Sequence, residues 1–371
     1  MGAGARPMEG LDLIPNFWKN RRVLITGHTG FKGSWLTCWL DELGAEVSGY
    51  ALAPETTPNL WSLLNLSHVP CYIADICDEE SLTNAFKQQQ PEVVFHLAAQ
   101  ALVRPSYVSP LETFKTNVLG TATLLSVAAQ FPSVKAIVVV TSDKCYENLE
   151  NGRPYVESDP MGGHDPYSAS KGCAELVTAS MRRSFFSPHT PERSDARIAS
   201  ARAGNVIGGG DWSKDRLIPD IVRGCLGDEE DVYIRSPTSV RPWQHVLEPL
   251  HGYMLLAERL FDAAPGYDTG WNFGPDANEE RPVIEVANAL VGSLGRGTIR
   301  VPPPSPSFHE ARLLHLDSSK ARLLGWEPRL TFDDAISYTS QWYGSWHKGL
   351  QAIDLCRQQI DSYSTLLGSP R

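Results

Sequence analysis

The sequence predicts an α/β protein, a doubly wound parallel sheet followed by a smaller C-terminal lobe. Three observations predict it. Short β-rich runs alternate with longer helical patterns through the first half of the 371 residues. One of those runs, 134–142 (VKAIVVVTS), is apolar without interruption, as a strand buried on both faces must be. After about residue 206 glycine and proline thicken and strands become short and isolated.

In chain order, residues 21–27 (RRVLITG) read as a buried strand and 34–43 as the helix behind it. Strands are expected at 46–52, 71–76 (CYIADI) and 92–98 (EVVFHLA), with a helix over 78–89 before the last. A long helix over 167–187 precedes a strand at 197–205, and the proline-rich 301–310 (VPPPSPSFHE) reads as a surface connection. Residues 1–16 read as a flexible extension, 17–205 as the first lobe and 206–371 as the second. Segments around 240–265 are placed where they can return to the first lobe.

Composition narrows the function. A 42% hydrophobic, 20% charged chain is an ordinary globular one, and a net charge of −10 argues against nucleic acid or an anionic membrane as partner. No apolar run approaches the roughly 18–20 residues that span a bilayer. The seven cysteines are scattered without CxxC or Cys/His spacing, which fits reduced thiols in the cytoplasm and no metal.

The first strand runs straight into Thr26-Gly27-His28-Thr29-Gly30-Phe31-Lys32-Gly33, which opens a helix. Glycines there permit a tight turn, close backbone approach to a pyrophosphate, and close packing of helix on strand. The helix start adds unpaired N–H groups for the phosphates. A P-loop is excluded because Lys32 stands where its second glycine belongs. No acid ends the second strand (Tyr50-Ala51-Leu52) to hold a ribose, and Glu55 is the nearest; no Arg or Lys is there for a 2′-phosphate. NAD is favoured over NADP, with Asp75 and Ile76 positioned to flank the adenine.

Tyr167 and Lys171, four apart at the start of the long helix, share one helical face. An ammonium beside a phenol favours the phenolate, and a tyrosinate can take a sugar hydroxyl proton while the carbon beneath gives up hydride. A surface helix pair would show the same spacing. Two arginines, Arg216 and Arg241, are the candidates for meeting phosphates in an acidic protein, since guanidinium matches phosphate bidentately.

The loop at 26–33, His96-Leu97-Ala98-Ala99-Gln100, Thr116-Asn117 and the Tyr167/Lys171 pair resemble the extended short-chain dehydrogenase/reductase family, which has a Rossmann-type fold. Over residues 17–349 the chain is most similar to the nucleotide-sugar 4,6-dehydratases that act on CDP-glucose. GHTGFKGSWL, HLAAQALVRPSY, TSDKCYEN, PMGGHDPYSASKGCAELV, RAGNVIGGGDWSKDRLIPD, RPWQHVLEPLHGY and WNFGP carry that similarity. The resemblance implies a cycle in which Tyr167 and Ser142 take the 4-hydroxyl proton as C4 loses hydride to NAD. Water then leaves across C5–C6 and the hydride returns to C6, giving CDP-4-keto-6-deoxy-glucose for deoxysugar and surface-polysaccharide (lipopolysaccharide O-antigen) biosynthesis. Asp143 would protonate O6 and Lys144 would act at C5, where dTDP-glucose and GDP-mannose relatives carry glutamate. Lys144 can be the base or a charged stabiliser of the enolate.

The resemblance also implies cofactor contacts from Leu97, Ala98, Ala99, Tyr167 and Lys171, and substrate contacts from Gln100, Asn205, Leu217 and His245. For His245 a packing role is an equal reading. A homodimer built through helices is implied too. A 4-epimerase or reductase would need the glycine loop and Tyr167/Lys171 but not Asp143 with Lys144. A non-catalytic NAD-binding regulator would need neither pair.

Overall fold

The computed structural model describes Leu13 and residues 16–149, 152–186, 194–227, 231–276, 279–303 and 314–368. The extension expected at 1–16 and the proline-rich 301–310 lie largely outside the described residues. Strands are β1 Arg22–Thr26, β2 Glu46–Ala51, β3 Cys71–Ile73, β4 Val93–His96, β5 Ala136–Val140, β6 Arg197–Ala203, β7 Asn205–Ile207, β8 Asp231–Tyr233, β9 Val240–His245, β10 Gly270–Phe273, β11 Glu280–Pro282 and β12 Thr298–Arg300. Helices of the first half are α1 Phe31–Glu42, α2 Leu60–Leu64, α3 Glu79–Gln89, α4 Val103–Val108, α5 Pro110–Phe114, α6 Gly120–Ala128 and α7 Pro166–Phe185. Those of the second half are α8 Leu217–Leu226, α9 Leu247–Phe261, α10 Val283–Leu294, α11 Ser319–Leu324, α12 Phe332–His347 and α13 Ala352–Leu367.

Seven strands form one sheet in the order β10-β6-β5-β4-β1-β2-β3, every pairing parallel. Alternate residues of each strand enter opposite cores. Val23 and Ile25 join the large core with α1 and α9, while Leu24 joins the smaller one with Phe86 and Leu124. Strand β5, buried at all five positions, sits between β4 and β6, as its unbroken apolar run predicts. Strand order reverses between β1 and β4, and a crevice at the carboxyl ends of these strands is where α/β sheets bind ligands.

The run read as one strand over 197–205 divides at Gly204. Strand β6 stays in the large sheet, while β7 pairs with β9 in a three-stranded sheet β11-β9-β7. A Cβ at Gly204 would stand 3.1 Å from the Pro242 side chain and 3.2 Å from Asp143 Oδ2, so glycine lets the chain change sheets beside Asp143. The boundary at 205/206 needs correction: helix α9 packs on β5 and β6, and β10, beyond the expected 240–265 window, pairs with β6. Helix α13 likewise lies against α1 and α2. Strand β3 is three residues long, and Asp75 and Ile76 fall in the turn after it.

Candidate active site

The loop after β1 is shaped by sterics. Gly27 has φ +77°, and a Cβ on it would lie 2.6 Å from the Ala98 nitrogen and 2.7 Å from the Leu97 carbonyl carbon. A Cβ on Gly33 would lie 2.1 Å from the Gly27 oxygen. Both positions therefore demand glycine. Gly30 is the N-cap of α1 and has no side chain to cap it, so the helix start presents bare N–H groups. Thr29 does not project free: its hydroxyl donates to the Leu52 carbonyl at 2.9 Å, tying the loop to the end of β2. Phe31 turns toward Gly208 of the second lobe. Asp75 accepts from the Cys77 amide at 2.9 Å and pairs with Lys115 at 3.5 Å, and Ile76 is buried against Gly120.

The loop after β4 faces this cradle. The amides of Leu97 and Ala98 donate to Thr26 O (3.0 Å) and Thr26 Oγ1 (3.3 Å), while Ala99 is half-buried beside them. Gln100 departs from the expected sugar contact. Its amide donates to Leu102 O and Thr113 Oγ1 and its oxygen accepts from the Leu102 amide, so its polar atoms brace their own loop. Asn117 holds that loop to α7. It accepts from Gln100 N at 2.8 Å, donates to Gln100 O at 3.0 Å, and donates to Ser170 Oγ at 2.8 Å. It does so from a single π turn, Lys115–Leu119, between α5 and α6, a local unwinding that shifts a side chain out of helical phase. Periodicity alone does not mark this residue as part of the site.

The loop after β5 is a 3₁₀ turn, Asp143–Cys145, capped by Ser142. Ser142 donates to Asp143 Oδ1 at 2.8 Å and accepts from the Lys144 amide at 3.2 Å. Across from it α7 starts with Asp165 as its cap and Pro166 in its first turn, placing Tyr167 beside Ser142. Lys171 follows one turn later and donates to the Val140 carbonyl at 3.4 Å.

Burial decides the protonation states. It pushes the Tyr167 phenol up to about 12, against the hydrogen bond from Ser142 and the charge of Arg216. Burial also brings the Lys171 ammonium down to about 8. The expected lowering of the phenol by Lys171 is thus not what the chain alone provides, because desolvation outweighs it. Burial raises the Asp143 carboxyl too, although Lys144, Ser142 and Arg241 oppose it. Lys32, brought down to about 7 by burial with Arg216 and Lys171 nearby, points into the same cluster. Asp143 thus has Lys144 and Arg241 near it, and Lys32 beside it has Arg216 and Lys171, in a protein of net charge −10. Cations grouped in this way favour an anionic ligand.

The remaining candidates lie in the second half of the chain. Arg216, the N-cap of α8, pairs with Asp211 at 3.1 Å and reaches the Ala101 carbonyl at 3.5 Å, spanning from one lobe to the other. Leu217 begins α8 and packs on the large core. Asn205 opens β7 opposite Trp243, and Arg241 lies on β9 in register with Arg281. His245 is fully buried, edge-on to Trp35 and Tyr338, and burial lowers it to about 3, which fits the packing reading.

Residues 24–339 match the sequence profile of the family described as GDP-mannose 4,6 dehydratase. The chain belongs to this dehydratase family. It is 47% identical to the CDP-glucose 4,6-dehydratase of Salmonella typhimurium, over 94% of this chain and 97% of that one. A UDP-glucose 4-epimerase of Halalkalibacterium halodurans is 26% identical, over 86% of this chain and 95% of its own. Among solved structures, a double mutant of the dTDP-glucose 4,6-dehydratase of Streptomyces venezuelae with NAD bound superposes with a TM-score of 0.73 at 25% identity. That match covers 87% of this chain and 96% of the other. Dehydratases and an epimerase are thus both similar to this chain. Among the described residues no helix is long and apolar enough to cross a membrane.

Proposed function

We infer that the chain is an NAD-dependent 4,6-dehydratase that converts CDP-glucose to CDP-4-keto-6-deoxy-glucose. The observation that carries this reading is the Asp143–Lys144 turn set beside Tyr167 at the mouth of the glycine cradle. The collisions a Cβ would make at Gly27 and Gly33, and the bare N-terminus of α1, fit a dinucleotide pyrophosphate. Gly27, Thr29, Gly30, Phe31, Lys32 and Gly33 would hold the phosphates, Asp75 and Ile76 the adenine side, and Leu97, Ala98, Ala99, Tyr167 and Lys171 the other half. When bound, NAD accepts a hydride from C4 and later returns it to C6.

The chain's own residues do the proton work. Tyr167, in contact with Ser142, takes the 4-hydroxyl proton as the phenolate, the form that the Lys171 ammonium one turn away favours and burial opposes. Asp143, kept protonated more readily than an exposed carboxyl, supplies the proton for the departing 6-oxygen. Lys144 takes the C5 proton that the neighbouring ketone has made acidic. Arg216 and Arg241 meet the diphosphate, and Asn205 and Leu217 line the sugar side.

Incubating the protein with NAD and CDP-, dTDP-, GDP- or UDP-glucose tests the reading. A 4-keto-6-deoxy product from CDP-glucose without net NADH is the expected result. CDP-galactose would instead mark an epimerase, and unchanged sugar over bound NAD a regulator. Lys144→Ala should stop solvent exchange at C5 while NADH still forms on the enzyme; normal turnover would remove Lys144 from the mechanism. A homodimer is part of the same proposal, supported by exposed apolar side chains on the neighbouring α4–α7 region: Val108 (80%), Leu111 (82%) and Leu176 (61%). Light scattering should give twice the chain mass.

A further inference from the structure

Outside the site described above, a cavity of about 370 Å³ is bounded by α7, β6, the start of β10 and α11. Its wall carries three cations, Arg182 of α7, Arg202 of β6 and Lys320 of α11, against two carboxylates, Glu157 and Glu175. Most of these groups are already engaged. Glu175 is held by Arg202, Ser200 and Thr141. The Arg202 guanidinium lies flat against Gly270, where a Cβ would come within 2.3 Å of Nη2. Lys320 is fixed on the same residue: its ammonium donates to the Gly270 carbonyl (2.6 Å) and to Thr269 Oγ1 (2.7 Å), 4.2 Å from the centre of the Trp271 ring. An ammonium has three N–H donors, so one is left over. Arg182 differs from its neighbours. It is half-buried, and among the described residues its guanidinium makes no hydrogen bond and no ion pair. Its place in the last turn of α7 accounts for a cation, through the helix dipole, but not for one that lines a cavity.

We propose that this cavity is a regulatory site for a small anion bearing a carboxylate or phosphate group, held by the fork of Arg182 and the spare N–H of Lys320. A guanidinium offers either group two parallel donors. The charges agree with this. Arg202 and Glu175 cancel, Glu157 faces Lys320, and the nearby Asp268 is paired with Arg197 at 3.9 Å, so the charge of Arg182 is the one left over. Burial also pulls Arg182 below the ordinary arginine value, a cost that a bound anion would offset. Arg216 and Arg241 line no part of this cavity, which is therefore distinct from the diphosphate side of the proposed active site. Its wall is nonetheless tied to the turn that carries Asp143. Glu175 accepts from Thr141, the residue before Ser142, and Arg202 donates to the hydroxyl of Tyr146, the residue after the turn. An anion that shares Arg202 with Glu175 loosens the hold on both ends of that turn, and so slows the chemistry without occupying the sugar's place.

Calorimetric titration of the NAD-loaded protein in excess CDP tests the site, with inorganic phosphate and citrate as the two probes. One anion per chain should bind, and the tighter probe identifies the group. Arg182→Gln should weaken binding roughly tenfold to a hundredfold, the worth of hydrogen bonds to a charged group, and Lys320→Gln should weaken it less. The turnover arm rests on the dehydratase reading; the binding arm does not. With CDP-glucose, the bound probe should lower kcat and leave KM unchanged. Arg182→Gln should turn over at the wild-type rate and ignore the probe. Heat that never saturates, or binding that Arg182→Gln leaves intact, would overturn the site. Binding through Arg182 that leaves wild-type turnover unchanged would refute its regulatory role. Protein that binds the probe through Arg182 yet leaves CDP-glucose untouched would keep the site and sink the dehydratase reading, so the two failures are distinct.

Discussion

Tyr167 and Lys171 share the helical face that their spacing requires, yet the phenol is raised to about 12 and the ammonium lowered to about 8. Pair geometry is legible in a sequence, whereas desolvation depends on which strands and loops close over the pair. The same limit explains His245, whose ring is taken into the core, and Gln100, whose side chain is consumed by its own loop. Lys171 has a consequence for stability that can be measured. Its folded pKa is depressed below the ordinary 10.5, so the unfolded chain binds more protons between pH 8 and 10.5, and stability rises with pH through that window. Below pH 8 the full cost of the buried ammonium is present. Lys171→Met should therefore stabilise the fold by about 2 kcal/mol near pH 6.5. That gain should fade as pH passes 10, read from thermal unfolding at the two pH values.

At the scale of elements, the glycine loop, the parallel strands and helix α7 follow from local pattern, because each leaves its signature within a dozen residues. The helices at 103–128 and the π turn that aims Asn117 have no comparable signature. Nor does the buried pair that joins α7 to β6. Glu175 lies one turn beyond Lys171 and accepts from Arg202 Nε (2.9 Å) and Nη2 (2.8 Å), from Ser200 Oγ (2.6 Å) and from Thr141, the residue before Ser142. Arg202 Nη1 donates to the Tyr146 hydroxyl, which donates to Asn272 on β10. Three strands and α7 are thereby held in one register under the turn that carries Asp143. Such a pair is worth little against a well-packed apolar substitute, but breaking one side strands a charge. Arg202→Met should cost about 3–5 kcal/mol in urea unfolding. Glu175→Leu with Arg202→Met should recover much of that loss, and a double variant no more stable than the single one would show the pair to be worth more than its packing.

Over the whole molecule, the C-terminal helices are fastened to the sheet by Glu248 of α9. Its Oε1 accepts from the Arg329 (2.8 Å) and Leu330 (2.6 Å) amides, and its Oε2 accepts from the Tyr363 hydroxyl (2.8 Å). Burial raises this carboxyl from 4.5 to about 7 despite those donors. The folded chain then holds more protons than the unfolded one between those values, so its contribution to stability is complete below pH 4.5 and lost as pH rises through 7. Glu248→Gln, which cannot ionise, should lose less melting temperature than the wild type between pH 5 and 7.5. Parallel slopes for the two proteins would refute this. The same fastening, with β10 at the sheet edge and α9 beneath β5, sets the terms for any attempt to graft a new sugar preference onto this chain. Exchanging everything after residue 205 for the corresponding part of a relative would carry away β10 and the α9 packing beneath β5 along with the smaller sheets. A transplant that keeps the chemistry running must leave 247–273 in place and trade only the stretches that build the smaller sheets.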